Sequence, residues 1–146
     1  MPVIKFKKLN KNAIIPFYAT DGASGMDLSI IGNPSIYPGS WRIVHTGLAV
    51  IIPPGYEGQI RPRSGLAVHH GITVLNSPGT IDADYRGEIC ILLVNHSNSM
   101  CQLQAGDRVA QLVIAPVAKA DVEVVEDFDI AETTARNSGG FGSTGK

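Results

Sequence analysis

The sequence predicts an all-β protein, a jelly-roll-like sandwich or distorted barrel with one short helix and a flexible C-terminal tail. Three observations carry that expectation. Short runs rich in Val, Ile and Leu recur along the 146 residues. Sixteen glycines and nine prolines punctuate those runs and do not pool in a linker. No window holds a 3.6-residue apolar stripe long enough for the crossover helix of a parallel βαβ unit.

Taken in order, Trp41 to Ile52, Tyr56 to Ile60, Gly71 to Leu75, Glu88 to Asn95, Arg108 to Ala115 and Val122 to Glu126 read as strands. Their bounds are turn signals: Pro53-Pro54-Gly55, Pro78-Gly79 and Ala105-Gly106-Asp107. Ser64 to His70 is the one helix-like piece, stopped by Gly71. Trp41, in an apolar run, is expected in the core. Cys90 and Cys101 are expected as reduced core thiols, since two cysteines make neither a disulfide framework nor a zinc pattern. Glu123 and Glu126 to Asp129 read as a solvated face. Residues 1–132 are expected as a single β domain. From Thr133 onward the chain has four glycines, one aromatic residue and no aliphatic anchor beyond Ala135, so burial cannot recover its backbone entropy. Phe141 set between glycines, with Arg136 upstream and Ser143-Thr144 downstream, suits a mobile flap at 133–146. Such a flap would order over a ligand carrying both an aromatic ring and an anion.

A net charge of −1 argues against a general nucleic-acid or membrane-surface binder. Any anion site must be a local concentration of Arg, Lys and backbone N–H groups. No stretch approaches the ~18 apolar residues of a membrane span, and the N-terminus lacks a secretory pattern, so the expected location is the cytoplasm. His45, His69, His70 and His96 share no metal spacing and read as surface or satisfied polar residues.

Three segments hold candidate chemistry. Arg61-Pro62-Arg63-Ser64-Gly65-Leu66-Ala67 stands at the mouth of the helical turn, where unpaired N–H groups, the Arg63 fork and the Ser64 hydroxyl suit a phosphate. It reads equally as an N-cap serine beside a surface arginine. Asn76 to Glu88 is a polar, Gly-punctuated hairpin whose backbone can face a base edge and whose Tyr85 can pack on a sugar. Asp84 and Arg86 read there as solvated charges; Asp82 and Tyr85 exceed what a turn needs. In Gly106 to Ile114, Gln111 interrupts an apolar alternation and requires a partner, either a core hydrogen bond or a ligand.

Together these segments resemble the trimeric dUTPase family over nearly the whole chain. Five motifs appear in that family's order: Ala23-Ser24-Gly25-Met26-Asp27-Leu28, Pro62 to Ala67, Gly79 to Gly87, Gly106 to Leu112, and Arg136 to Gly145. Ser24 looks inserted, and Asn137 stands where the family often has glycine.

The resemblance implies hydrolysis of dUTP to dUMP and pyrophosphate, which supplies dUMP for thymidylate synthesis and keeps uracil out of DNA. It implies Asp82 as the general base aiming a water at the α-phosphorus, and Mg²⁺ held mainly by the phosphates, with Asp27 reaching it through water. It implies Arg63, Ser64, Gly65 and Gln111 on the phosphates, and Tyr85 under the deoxyribose. Backbone around Thr80, Ile81 and Cys90 would read uracil in a pocket shaped by Asn76 and Gly79. In the tail, Phe141 within Gly140-Phe141-Gly142 would stack on the base, with Arg136 and Ser143 on the outer phosphates. It implies a homotrimer whose sites are shared between subunits, with no nucleic-acid or membrane partner. Two rivals are a dCTP deaminase-like enzyme and a non-catalytic trimeric nucleotide-binding module.

Overall fold

The structure, a computed structural model, describes residues 1–129 and 132–140. Among these the chain forms β1 (Lys5–Lys8), β2 (Met26–Ser29), β3 (Ser35–Ile36), β4 (Trp41–Ile51), β5 (Tyr56–Pro62), α1 (Ser64–His70), β6 (Ile72–Val74), β7 (Gly79–Ile81), β8 (Glu88–Asn95), β9 (Cys101–Gln102) and β10 (Arg108–Pro116). Every strand pairing is antiparallel. Two open four-stranded sheets, ordered β1-β4-β8-β6 and β2-β10-β5-β7, are joined by a two-stranded β3-β9 ribbon.

One hydrophobic cluster draws on both four-stranded sheets, with Leu48, Ile91 and Leu93 from the first and Leu28, Ile60 and Leu112 from the second. Alternation along the strands creates it: β8 reads half-buried, buried, half-buried, buried from Glu88 to Ile91. Each fully buried Leu or Ile contributes about 1.5–3 kcal/mol of transfer free energy. Buried Asn95 ties the core to the loops: its Nδ2 donates to the Ile36 and Ser99 carbonyls, and its Oδ1 accepts from the Ser97 N–H. Helix α1 ends as the sequence predicts. Gly71 adopts φ 63°, and its N–H caps the Ala67 carbonyl. A Cβ there would lie 2.8 Å from the Ser97 backbone nitrogen.

Four expectations are corrected. Val122 to Glu126 forms no strand, and Val122 and Val124 are 90% and 94% exposed. Among the described residues it pairs with no strand, and a strand needs a partner. Trp41 is exposed, because it opens β4 at the end where the pleat turns its first residues outward. Arg63, in extended conformation, is the N-cap of α1, with no side-chain cap; Ser64 is already helical. Cys90 and Cys101 are free thiols but only half-buried: Cys90 alternates with the fully buried positions of β8, and Cys101 packs against the rim of the core from short β9.

Candidate active site

Strand β10 lies between β2 and β5, and its register sets Gln111 opposite Asp27 on one side and Arg61 on the other. The chain leaves β5 through Arg63 into α1, so motifs far apart in sequence meet on one sheet. Arg63 Nε lies 3.1 Å from Asp27 Oδ1, and Arg108 Nη1 lies 2.9 Å from Asp27 Oδ2. Arg63 also donates to the Arg108 carbonyl at 2.7 Å. Gln111 finds the partner its position demanded by donating from Nε2 to the Pro62 carbonyl at 3.1 Å. A Cβ on Gly25 would come within 2.7 Å of Gln111 Oε1, so a glycine here leaves that amide room. Ser64 and Gly65 are exposed at the start of α1, with open space around Gly65. Asp27, Arg63, Ser64, Gly65 and Gln111 thus gather at one end of the β2-β10-β5 sheet. Sequence reasoning missed Arg108 as their neighbour; its place three residues before Gln111 in the same motif was the available signal.

A second group surrounds a cavity of about 140 Å³ lined by Asn76, Gly79, Thr80, Ile81, Tyr85 and Cys90, among others. That is close to the volume, roughly 150 Å³, that takes one six-membered ring in an engineered protein cavity. The short β7 positions it by pairing with β5, Ile60 opposite Gly79 and Gly58 opposite Ile81. The Ser77–Pro78 peptide bond preceding β7 is cis. After β7 a turn closes with the Tyr85 N–H on the Asp82 carbonyl at 3.1 Å. The Tyr85 hydroxyl donates to the Glu88 carbonyl at 3.0 Å, which fixes the ring beside the cavity. A Cβ on Gly87 would overlap that ring.

Asp82 is exposed, just beyond β7, and borders a wider depression with Tyr56, Glu57 and Lys119. Extending the β5–β7 register by one residue puts Asp82 level with Glu57. Arg63, just past the Pro62 end of β5 and still extended, lies six residues on from Glu57, about 20 Å at ~3.3 Å per residue. One chain therefore sets the guanidinium-carboxylate cluster around Arg63 and the Asp82 carboxylate at opposite ends of β5, with the ring-sized cavity lined by Ile60 and β7 between them.

A dUTPase family model matches residues 11–145. The chain belongs to the dUTPase family. The deoxyuridine 5'-triphosphate nucleotidohydrolases of Syntrophotalea carbinolica and Nautilia profundicola are 54% and 56% identical to it, the first covering 97% of this chain and 96% of the relative, the second 98% and 99%. Among solved structures, a mutant dUTPase of Staphylococcus bacteriophage 80alpha with dUpNHpp superposes at a TM-score of 0.91 with 26% identity, covering 99% of both chains. A mutant dUTPase from phage phi11 of S. aureus, described with a structural Mg(II) ion, gives 0.81 with 25% identity over 87% of this chain and 99% of that one.

In this dUTPase-family chain the tail carries its own local turns. Arg136 is exposed and donates from Nε to the Gly139 carbonyl at 2.8 Å. Asn137, where the family often has glycine, adopts φ 38°. Asparagine is among the non-glycine residues that best tolerate this region. Phe141, Gly142 and Ser143 lie outside the described residues.

Cys90 faces the β4 edge, where His45 is its direct cross-strand partner. A bulge between His45 and Ala49 makes room for Glu88, whose Oε1 accepts from the Gly47 N–H at 2.8 Å and Oε2 from His45 Nδ1 at 3.0 Å. Burial pushes the Glu88 carboxyl up, but the His45 and Gly47 hydrogen bonds outweigh it and hold the group below its usual range. Burial, and then the negative Glu88, raise the Cys90 thiol. Cys90 is therefore a poor nucleophile. Among the described residues no helix is long and apolar enough to cross a membrane.

Proposed function

We propose that the chain hydrolyses dUTP to dUMP and pyrophosphate, with Asp82 as the general base that orients a water toward the α-phosphorus. The observation that carries this reading is the pairing of a ring-sized cavity, lined by Tyr85 and by Ile81 next to Asp82 in the chain, with a separate guanidinium cluster around Arg63. The named activity of relatives more than half identical over nearly the full chain supports it. The uracil ring enters the cavity, where backbone of Thr80, Ile81 and Cys90 faces the base edge and Asn76 and Gly79 shape the walls. A donor-acceptor mismatch in that enclosure leaves polar groups unpaired, which discriminates against other bases. Tyr85, held by its own hydroxyl, packs on the sugar and leaves no room for a 2′-hydroxyl.

Arg63, Ser64, Gly65 and Gln111 hold the phosphates. The Arg63 fork and the N–H groups opening α1 offset charge spread over the transferring oxygens. Both Asp27 oxygens are engaged by guanidinium groups, so the residue fits a hydrated Mg²⁺ reached through water better than direct ligation. Such an ion, bound mainly through the phosphates, supplies charge neutralisation there.

The Arg63 cluster and Asp82 are too far apart in one chain to serve one triphosphate. A homotrimer, the family's assembly, pairs Arg63 of one copy with Asp82 of another. The exposed Val122, Val124 and Phe128 offer apolar surface that a neighbouring copy would cover. Residues 1–132 form one β domain in this reading, and 133–146 a flap in which Phe141 and Gly142 close over the base while Arg136 and Ser143 meet the outer phosphates. The cellular role, supply of dUMP and exclusion of uracil from DNA, belongs to the cytoplasm. Pyrophosphate release from dUTP, compared with dCTP, dTTP and UTP with and without Mg²⁺, tests the proposal. Ammonia release from dCTP, or nucleotide binding without turnover, would overturn it.

A further inference from the structure

Across the β4–β8 pair, away from the phosphate cluster, three side chains of different donor type converge. His45 Nδ1 lies 3.0 Å from Glu88 Oε2 and 3.6 Å from Cys90 Sγ, and all three donor atoms fall within 4.8 Å of one another. The convergence is built by the sheet. His45 and Cys90 are register partners, Glu88 is two residues before Cys90 on the same face, and the β4 bulge lets its carboxylate fold in. We propose that His45, Glu88 and Cys90 form a binding site for a borderline-soft divalent cation, Zn²⁺ above all, at the edge of the ring-sized cavity.

Geometry supports the assignment first. Tetrahedral zinc with ordinary Zn–S, Zn–N and Zn–O bonds needs ligand separations of about 3.5 Å for S···N and about 3.4 Å for N···O. The Cys90–His45 distance of 3.6 Å already matches, and the His45–Glu88 distance of 3.0 Å has only to open slightly. The Gly47 N–H on Glu88 Oε1 is the kind of outer hydrogen bond that fixes a ligating carboxylate and leaves Oε2 for the ion. Half-exposed His45 leaves the fourth position to water.

Chemistry supports it second. A nitrogen, oxygen and sulfur set suits zinc, whereas Mg²⁺ selects oxygen donors, so this site is distinct from any ion on the phosphates. On binding, the Cys90 S–H bond breaks, its proton passes to the buffer, and the thiolate pair forms the metal–sulfur bond. The imidazole keeps its proton on Nε2 and gives the Nδ1 lone pair, and Glu88 gives Oε2. The buried cost that raises the thiol in the metal-free protein is offset by the cation's own charge.

The test uses the full chain, freed of metal by a chelator and dialysed against Zn²⁺ or Co²⁺ with excess Mg²⁺ and no nucleotide. Expected are one bound ion per chain and, with Co²⁺, a thiolate-to-metal charge-transfer band in the near ultraviolet that Mg²⁺ does not erase. His45→Ala and Cys90→Ser should each weaken Zn²⁺ binding at least about tenfold, because loss of an outer partner alone costs that much at known sites. Absence of the band in the unmodified protein overturns the proposal, whatever the variants do. So does wild-type affinity in either folded variant.

Discussion

Arg63 Nε lies 3.1 Å from Asp27 Oδ1, an ion pair between the residue that follows β5 and the second residue of β2. Arg108 engages the other oxygen, so one carboxylate spaces two guanidinium groups on the face where the phosphates are proposed to lie. Asp27→Asn would leave those cations facing an amide. The expected outcome is a folded protein, weakened by about 1 kcal/mol, in which the Mg²⁺ concentration for half-maximal turnover rises about 10–100-fold. Titration of activity with Mg²⁺ checks it; an unchanged titration removes Asp27 from the ion's environment.

Asp82→Asn should bind dUpNHpp with near wild-type affinity and lose about 10²–10⁴ in kcat, the span of general base catalysis. The residue is exposed beyond β7 and contributes nothing to the core, so a fall in turnover would not come from unfolding. Calorimetry with the analogue and steady-state kinetics with dUTP separate the two quantities. Unchanged kcat sinks the role of Asp82.

Because Arg63 and Asp82 stand at opposite ends of β5, Arg63→Ala and Asp82→Asn chains, each inactive alone, should complement when mixed and reassembled. With random assortment about a quarter of shared sites would combine intact copies of both. No recovery after verified subunit exchange would place the whole site within one chain.

Gly87→Ala puts a methyl group into the Tyr85 ring. Displacing that ring from the Glu88 carbonyl should lower the preference for dUTP over UTP about tenfold or more, the loss of roughly 1.4 kcal/mol of discrimination. The ratio of kcat/KM values for the two nucleotides measures it. A preserved ratio would mean that Tyr85 does not guard the 2′ position.

Glu88 sets an acid limit on stability. Its carboxyl is held below the usual value of 4.5 in the folded chain, so the unfolded chain takes up the proton first as pH falls. The stability from its bonds to His45 and Gly47 is complete above about pH 4.5 and is lost as pH drops through the lower folded value. Urea midpoints measured at neutral pH and below 4.5 should converge between wild type and Glu88→Gln as the acid is reached. A constant difference at all pH values would contradict the linkage.

Some elements were legible because their signals are local. Ser64 to His70 reads as a helix, and Gly71 as its stop, from a single turn's needs, since only glycine meets φ 63° against the Ser97 backbone without strain. The long strands β4, β5, β8 and β10 carry enough period-2 pattern to be seen. Two-to-four-residue strands such as β3, β7 and β9 do not, because pairing with a neighbour, and not their own composition, makes them strands.

The sequence alone determined the class of fold, the order of five motifs and hence the family, because those depend on residue types and their spacing. It did not determine which of those residues meet. That Asp27 sits between Arg63 and Arg108, that Asp82 lies far from both, and that His45, Glu88 and Cys90 share one face follow from strand order and register. Val122 to Glu126 and Trp41 went the other way for the same reason. An apolar pattern states what a segment would bury, but only the neighbouring strands decide whether there is anything to bury it against.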